Sequence, residues 1–168
     1  AWLTSADIVG TVNAGQFNYV RSYDVNGDGV DDIVVGGRGV YPQAGLKWIE
    51  APAAVEDRRD IAAWRVHNID NDLEGAHGFI FGDVDLDGKV DVAVCNADWD
   101  TPDLAKKVVW YDNPGAGTEA QRQEWPRHIV YMGPEFYGKE QVALYDFTGD
   151  GYPELVLHAD NDIYIFTN

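Results

Sequence analysis

The stretch DVNGDGVDDIVV at residues 24–35 decides the fold, because an acidic loop runs directly into β-branched residues. Its Asp, Asn and Gly residues favour a tight turn, whereas Ile33-Val34-Val35 favours a strand. The pattern returns as DVDLDGKVDVAV at 83–94 and as DFTGDGYPELVL at 146–157. The loops begin at positions 24, 83 and 146, which are 59 and 63 residues apart. The chain therefore contains three copies of one unit.

Each unit contains short apolar runs of strand length around its loop. The innermost strands are predicted at 16–24, 77–85 and 140–146, and the second strands at 31–37, 91–97 and 153–159. Third strands are predicted at 46–52, 108–115 and 162–168, and fourth strands at 62–70 and 124–132. A period near 60 residues with up to four strands is typical of a propeller blade rather than of a helical solenoid.

The sequence thus predicts an all-β fold, a β-propeller built of four-stranded blades with three blades in this chain. We expect blade 1 at about 15–70, blade 2 at about 76–132, and blade 3 at about 138–168, completed by a strand at 2–9. Propellers typically have about 4–8 blades. Either two chains form a homodimer that completes a six-bladed ring, or the chain is part of a longer propeller.

The charge of the chain restricts its partners. Twelve Lys and Arg residues against 29 Asp and Glu residues give a net charge of −17, which argues against nucleic acid and anionic membrane surfaces. No apolar run of about 18 residues is present, so no membrane span is predicted. Cys95 is the single cysteine, and an intramolecular disulfide is impossible. The chain opens AWLTSADIVG, without an initiator Met or a signal-peptide pattern.

Clustered oxygen donors in the repeated loops predict Ca²⁺ sites, because calcium takes six to eight hard oxygen ligands. The first and second loops have the stronger donor sets, and the third is weaker because Thr148 brings no charge. The predicted donors include the main-chain carbonyls of Val30, Lys89 and Tyr152. The full set is Asp24, Asn26, Asp28, Val30 and Asp32; Asp83, Asp85, Asp87, Lys89 and Asp91; and Asp146, Thr148, Asp150, Tyr152 and Glu154.

The loops differ from an EF-hand at their twelfth position and at their flanks. An EF-hand has a bidentate Glu at that position and helices on both sides. Here the twelfth residue is Val35, Val94 or Leu157, and the flanking segments have strand character. The sequence therefore predicts strand–loop–strand cation sites, although an Asx-type turn without metal would use the same residue types.

The Phe81-Gly82 pair followed by DVDLDG resembles the FG-GAP/VCBS-type repeats of calcium-binding β-propellers. The segment VVWYDNPG followed by WPRHIV, within 108–130, is similar to the outer half of a VCBS-type blade. This resemblance implies a propeller with calcium in its blade loops and an extracellular or periplasmic location. It does not imply one activity, since such propellers serve in adhesion, in glycan binding and in carbohydrate-active lyases and dehydratases.

A few residues outside the loops are weaker candidates for ligand binding or catalysis. Six residues before the three loops lie Asn18, His77 and Glu140, which the strand assignment places at the entrance of the central channel. His77 follows an acidic run and could act as a general base or a metal ligand. The run contains Asp70, Asp72 and Glu74, and Trp99 lies in a predicted loop where it could stack on a sugar.

Three functions compete on these observations. The absence of a Ser-His-Asp order, a phosphate loop or a zinc spacing favours a binding or adhesion module for glycans or a protein partner. The alternative enzyme is a sugar or polysaccharide lyase or dehydratase with His77 at the channel entrance. The third possibility is a self-assembling structural half-propeller whose ligand is calcium alone.

Overall fold

The computed structural model describes residues 8, 10–11, 16–38, 45–73, 75–96, 107–133, 141–159 and 161–167. Within these ranges the chain forms β-strands and two short 3₁₀ helices, Val55–Arg59 and Ile61–Ala63, and no α-helix. The strands are β1 (Gln16–Tyr23), β2 (Asp32–Arg38), β3 (Leu46–Glu50), β4 (Arg65–Asp70), β5 (Ala76–Gly82), β6 (Asp91–Asn96), β7 (Lys107–Tyr111), β8 (Arg127–Met132), β9 (Gln141–Tyr145), β10 (Glu154–Ala159) and β11 (Asp162–Phe166). The all-β prediction is confirmed.

The strands form three antiparallel meanders that do not close into a barrel. The first sheet has the order β1-β2-β3-β4, the second β5-β6-β7-β8, and the third β9-β10-β11. Every paired strand is the neighbour of its partner in sequence, which is the usual arrangement of consecutive antiparallel strands. The acidic loops join the first two strands of each sheet.

The second sheet is covered on both faces, which explains why the four central residues of its strand β6, 92–95, are all apolar. Val92 and Val94 pack in a core shared with the first sheet, together with Trp48, whereas Ala93 and Cys95 pack in a core shared with the third sheet. Side chains alternate between the two faces of a strand, so a strand between two sheets needs apolar residues on both. All six residues of β6 are buried.

Within the described residues, the third sheet packs one face against the second sheet and exposes large apolar side chains on the other. Leu155 and Leu157 pack in the shared core. On the opposite face Tyr145, Ile163 and Ile165 are 64%, 69% and 55% exposed.

The fourth strands begin later than the sequence predicted. Residues 62 and 63, assigned to the strand at 62–70, belong to a 3₁₀ helix that Asp60 caps by accepting a hydrogen bond from the Ala62 amide at 3.0 Å. Residues 124 and 125, assigned to the strand at 124–132, bond to β4 of the first sheet instead. The amides of Glu124 and Trp125 donate to the carbonyls of Asn68 at 2.7 Å and Ile69 at 3.1 Å.

The predicted strand at 2–9 lies outside the described residues except for Ile8. A turn follows it, in which the Thr11 amide and hydroxyl both donate to the Ile8 carbonyl, at 3.0 and 2.8 Å. Gly10 lies against the first sheet, since a Cβ on it would be 3.1 Å from the Cβ of Val66. Completion of the third sheet by 2–9 stays a prediction. Within the described ranges, no helix is long and apolar enough to cross a membrane.

Candidate metal centre

The three acidic loops share one backbone shape. Their fourth and sixth residues have positive φ: Gly27 and Gly29 in the first loop, Leu86 and Gly88 in the second, and Gly149 and Gly151 in the third. Two residues in the left-handed conformation, with one residue between them, turn the chain tightly and direct backbone amides and side chains toward the centre of the loop. Glycine adopts this conformation without steric cost, which explains five of the six residues. Leu86, with φ of 64°, is the exception.

The second loop brings three carboxylates together. Asp83, Asp85 and Asp87 each offer an oxygen, and these atoms all lie within 4.8 Å of one another. Backbone amides orient the group, since the Gly88 amide donates to Asp83 Oδ2 at 3.0 Å and the Asp87 amide to Asp85 Oδ1 at 3.1 Å. Converging carboxylate oxygens of this kind could hold a metal ion.

One oxygen of this group has no hydrogen-bond partner although it is buried. Asp83 Oδ1 is shielded from solvent and accepts no hydrogen bond from the described residues, whereas Asp83 Oδ2 accepts one from Gly88. A buried carboxylate oxygen without a donor is costly, and a cation bound between the three carboxylates would compensate it. The donor set of hard oxygens therefore fits a cation such as calcium.

Lys89 is the positive charge next to this group. Its ammonium contacts the Asp87 carboxylate, lies 3.5 Å from Asp112 Oδ1, and donates to the carbonyl of Asn113 at 2.7 Å. The hydrogen bond between the Lys89 ammonium and the Asp87 carboxylate raises the pKa of Lys89 and lowers the pKa of Asp87. The lysine thus balances the charge of the Asp87 carboxylate.

The third loop gathers a second group of three carboxylates. Oxygens of Asp146, Asp150 and Glu154 lie within 4.8 Å of one another. Glu154 is buried, and its Oε2 accepts a hydrogen bond from the Phe147 amide at 2.6 Å. The Thr148 hydroxyl donates to Glu154 Oε1 at 3.2 Å. This group could also hold a metal ion, with the longer side chain of Glu154 reaching from the ninth position.

The first loop uses an amide where the second uses a carboxylate. The Asp28 amide donates to both Asp24 Oδ1 and Asn26 Oδ1, at 3.0 Å each, so the two acceptors converge. The Asn26 Nδ2 donates to Glu50 Oε1 at 3.1 Å and toward Asp28 Oδ2 at 3.4 Å. Its carbonyl oxygen therefore faces into the loop, as a cation ligand would.

The ninth residues of the first two loops, Asp32 and Asp91, are fully buried and connect each loop to the segment that follows the third strand of its own sheet. Asp32 accepts hydrogen bonds from the amides of Val25 at 3.3 Å and Ala51 at 2.8 Å. Asp91 accepts them in the same way from Val84 and Asn113, both at 2.9 Å. Burial raises the pKa of both carboxyl groups to about 6, although these hydrogen bonds oppose the shift. Their role as metal ligands stays a prediction.

The predicted carbonyl donors share one place in the loops. Val30, Lys89 and Tyr152 each directly follow the second left-handed residue of their loop, which is Gly29, Gly88 or Gly151.

The residues expected at the channel entrance lie apart from the loops. Asn18 and His77 occupy equivalent β-bulges at the start of β1 and β5, where the strand register shifts. A bulged residue is unpaired in the ladder and projects differently from its neighbours. Asn18 is exposed, and the half-buried His77 ring lies 5.9 Å from the ring of Tyr19. Glu140, Glu74 and Trp99 lie outside the described residues.

Asp70, the last residue of β4 and the first of the acidic run, is held by two side chains and one backbone amide. Asp70 Oδ2 accepts hydrogen bonds from the Tyr111 hydroxyl at 2.7 Å and from Arg127 at 2.9 Å, and Asp70 Oδ1 accepts one from the Asp72 amide at 2.6 Å. Both aspartates line a cavity of about 270 Å³.

A larger cavity of about 510 Å³ lies beside the first loop. Its lining is Asp28, Glu50, Ala51, Pro52, Ala53, Ala54, Asp57, Ala62, Ala63 and Arg65.

Sequence reasoning missed Asn113, the residue that joins two loops. It is buried, and its side-chain amide donates to the carbonyls of Val25 at 2.9 Å and Val90 at 2.8 Å. The available signal was its position in the segment DNPG directly after the third strand, where Asn168 occupies the same place in the third unit.

Comparison with known proteins supports the repeat. No curated protein sequence matches the chain. The family model of the FG-GAP-like repeat matches residues 83–157, which include the second and third loops and the strands between them. The resemblance predicted from Phe81-Gly82 and DVDLDG is therefore confirmed, and the match over this part of the chain is consistent with an FG-GAP-type repeat protein.

Proposed function

We propose that the chain is a calcium-stabilised β-propeller module for binding or adhesion. The observation that carries the calcium assignment is the buried, unpartnered Asp83 Oδ1 within three converging carboxylates. In this proposal the three sheets are successive blades at about 15–70, 76–132 and 138–168, the last completed by strand 2–9. The match to the FG-GAP-like repeat supports an extracellular or periplasmic location for the module. Extracellular calcium modules bind with dissociation constants of roughly 10⁻⁴–10⁻³ M.

Calcium in these loops is structural rather than catalytic. Asp83, Asp85 and Asp87 would bind the ion with the Lys89 carbonyl, and the first and third loops would use their equivalent residues. The ion neutralises carboxylates that otherwise repel one another, and it fixes the loop between the two inner strands of each sheet. Because the ion binds only the folded chain, it raises the free energy of unfolding.

Thermal unfolding with and without calcium tests this proposal. Calcium at about 100 times the dissociation constant adds about 2.7 kcal/mol. This corresponds to a rise in Tm of roughly 5–10 °C for a chain of this size. Asp85→Asn should remove much of the rise, whereas Asp31→Asn, which removes an equal charge from an exposed loop residue outside the donor set, should keep it. A Tm that is the same in calcium and in chelator contradicts the proposal.

The cavity of about 510 Å³ supports a binding role for the face beside the first loop. Its alanines leave room for a ligand, and Asp28, Asp57 and Arg65 supply hydrogen-bonding groups at its border. A glycan is the ligand class that such a shallow polar site fits. A glycan array probed in calcium tests this role, with Ala62→Trp filling the cavity. Retention of every bound glycan by this variant would contradict it.

The exposed face of the third sheet supports a second proposal, assembly with another copy of the chain. Ile163 and Ile165 of the third sheet occupy the repeat positions of Val108 and Trp110 of the second sheet. The third sheet packs over Val108 and Trp110. We infer that the first sheet of a second chain packs here, in the way the second and third sheets pack inside one chain, and completes a six-bladed ring.

The mass in solution tests this assembly. We expect a dimer that Ile163→Glu converts to a monomer. Val55→Glu is the matched control, because Val55 is equally exposed, at 69%, but lies in a 3₁₀ helix away from this face. A monomer at all concentrations contradicts the assembly and leaves the calcium proposal intact.

A further inference from the structure

Asn113 uses every polar atom it has, although it is 1% exposed. Its backbone amide donates to Asp91 Oδ1 at 2.9 Å, and its side-chain oxygen accepts from the Gly115 amide at 2.8 Å. Its side-chain amide donates to the carbonyls of Val25 and Val90. A buried residue with all its hydrogen bonds formed has one permitted orientation, since any other leaves polar groups unsatisfied.

These contacts join two acidic loops that belong to different sheets. Val25 follows the first aspartate of the first loop, and its amide donates to Asp32. Val90 precedes Asp91, the ninth residue of the second loop. A continuous path of hydrogen bonds therefore runs from Asp32 through Val25 and Asn113 to Asp91.

We propose that Asn113 couples cation binding at the first loop to cation binding at the second. The inference rests on the proposed calcium function. A cation that orders the first loop fixes the Val25 carbonyl, and this fixes the Asn113 amide and with it Val90 and Asp91. The second loop then loses less conformational entropy when it binds, so the two loops bind with positive cooperativity. By linkage the effect is reciprocal.

The first sheet provides an internal contrast. Ala51 occupies the position of Asn113, because its amide donates to Asp32 as the Asn113 amide donates to Asp91. Its methyl side chain cannot donate a hydrogen bond. The bridge between loops is therefore a property of the Asn113 side chain and not of the repeated backbone.

A cycle of variants measures the coupling by calcium titration calorimetry. All variants carry Asp150→Ala, which removes a carboxylate of the third loop, so that the first two loops are observed. Asp85→Ala then disables the second loop. We expect it to weaken calcium binding at the first loop about tenfold, within the range of ordinary coupling between sites. Asp28→Ala should weaken the second loop by the same factor.

Asn113→Ala should remove the coupling. In that background, adding Asp85→Ala should change the affinity of the first loop less than about twofold. Asn96→Ala is the matched control, because Asn96 is also buried in the second sheet at 1% exposure but accepts its hydrogen bond from Lys107 of the neighbouring strand. The tenfold effect should persist in Asn96→Ala.

Hydrogen exchange of the metal-free chain gives a readout that does not depend on calcium. Asn113→Ala should speed exchange of the amides of Val25 and Val84, whose acceptors Asp32 and Asp91 lie on the proposed path. Asn96→Ala should leave both amides unchanged. Unaltered exchange in Asn113→Ala would count against the path.

The outcomes separate the two proposals. Independent affinities in the chain with Asn113 intact overturn the coupling, and this arm remains decisive if Asn113→Ala does not fold. A tenfold effect that survives Asn113→Ala also overturns it. Absence of any calcium binding to the unaltered chain instead overturns the proposed function and the coupling with it.

Discussion

The first and second sheets carry the same pair of side chains in different surroundings. Trp48 on β3 lies opposite His67 on β4, and Trp110 on β7 lies opposite His128 on β8. The rings are 4.4 Å apart in the first pair and 4.0 Å apart in the second. Yet Trp48 and His67 are fully buried, whereas Trp110 is half-buried and His128 is exposed. A repeated sequence position thus does not determine burial.

The loop before β8 produces the difference, because it covers the first pair and bonds to the edge of β4. The Arg122 guanidinium lies 5.8 Å above the Trp48 ring and donates to both oxygens of Glu50, at 2.9 and 3.1 Å. His67 Nε2 lies 2.8 Å from Glu50 Oε2, and its Nδ1 lies 3.1 Å from Gln123 Nε2. In the neutral tautomer that carries its hydrogen on Nε2, His67 donates to Glu50 through Nε2 and accepts from Gln123 through Nδ1. The first pair is therefore part of the interface between two sheets.

The largest expected effect is the removal of the buried tryptophan. Trp48→Ala should lower the free energy of unfolding by about 3–5 kcal/mol, because it leaves a cavity between the first two sheets. Trp110→Ala should cost roughly 1–2 kcal/mol, since that side chain is already half exposed. Urea unfolding in chelator measures both. Equal losses would show that the covering loop does not distinguish the two pairs.

The polar network around the buried pair should have the next largest effect. Glu50→Ala should cost about 2–3 kcal/mol, because it leaves His67 and Arg122 without their shared acceptor. Asp112 holds the equivalent position in the second sheet, where it is more exposed and lies 3.5 Å from Lys89. Asp112→Ala should cost about 0.5 kcal/mol or less. Urea unfolding in chelator measures the loss of stability in Glu50→Ala and in Asp112→Ala. Similar losses in the two variants would contradict this prediction.

The same network predicts a dependence on pH. Burial alone would raise the pKa of Glu50, but the hydrogen bond with His67 and the charge of Arg122 outweigh it, so the pKa lies below 4.5. A carboxyl group whose pKa is lower in the folded state than in the unfolded state stabilises the fold at pH values above its unfolded-state pKa. That stabilisation is lost as the pH falls through its folded-state pKa. Between about pH 5 and pH 3 the unfolding free energy should therefore fall less steeply in Glu50→Gln than in the unaltered chain.

Glu56→Gln is the control for this measurement, because Glu56 is exposed in a 3₁₀ helix and outside the network. It should keep the slope of the unaltered chain. Equal slopes for Glu50→Gln and the unaltered chain would show that the network does not hold Glu50 ionised.

The sequence predicted the strands because their periodicity is local. The runs at 31–37 and 91–97 lie on β2 and β6 within one residue at each end. The acidic loops were equally visible, since aspartates at alternate positions and glycines at turns act within a few residues. The strand order within each sheet followed from the predicted propeller blade, in which successive strands of a unit lie side by side.

The sequence could not reveal contacts between units that are distant along the chain. Glu124 and Trp125 were assigned to a strand of their own sheet, but their amides bond to β4 across more than 50 residues. Asn113 reaches Val25 over a separation of 88 residues. A period describes what the units share, whereas these contacts depend on how one unit meets the next.

The smallest expected effect concerns the fourth residue of the loops, Gly27 in the first sheet and Leu86 in the second. Both have positive φ, which costs a non-glycine residue about 1–2 kcal/mol. Leu86 is 46% exposed, so replacing it loses little packing. Leu86→Gly should raise the unfolding free energy by about 0.5 kcal/mol, because relief of the strain slightly exceeds the greater chain entropy of glycine. Gly27→Leu should lower it by a similar amount. Urea unfolding of the two variants with calcium removed makes the comparison, and a loss of stability in Leu86→Gly would mean that the Leu86 side chain packs in the loop more strongly than its exposure indicates.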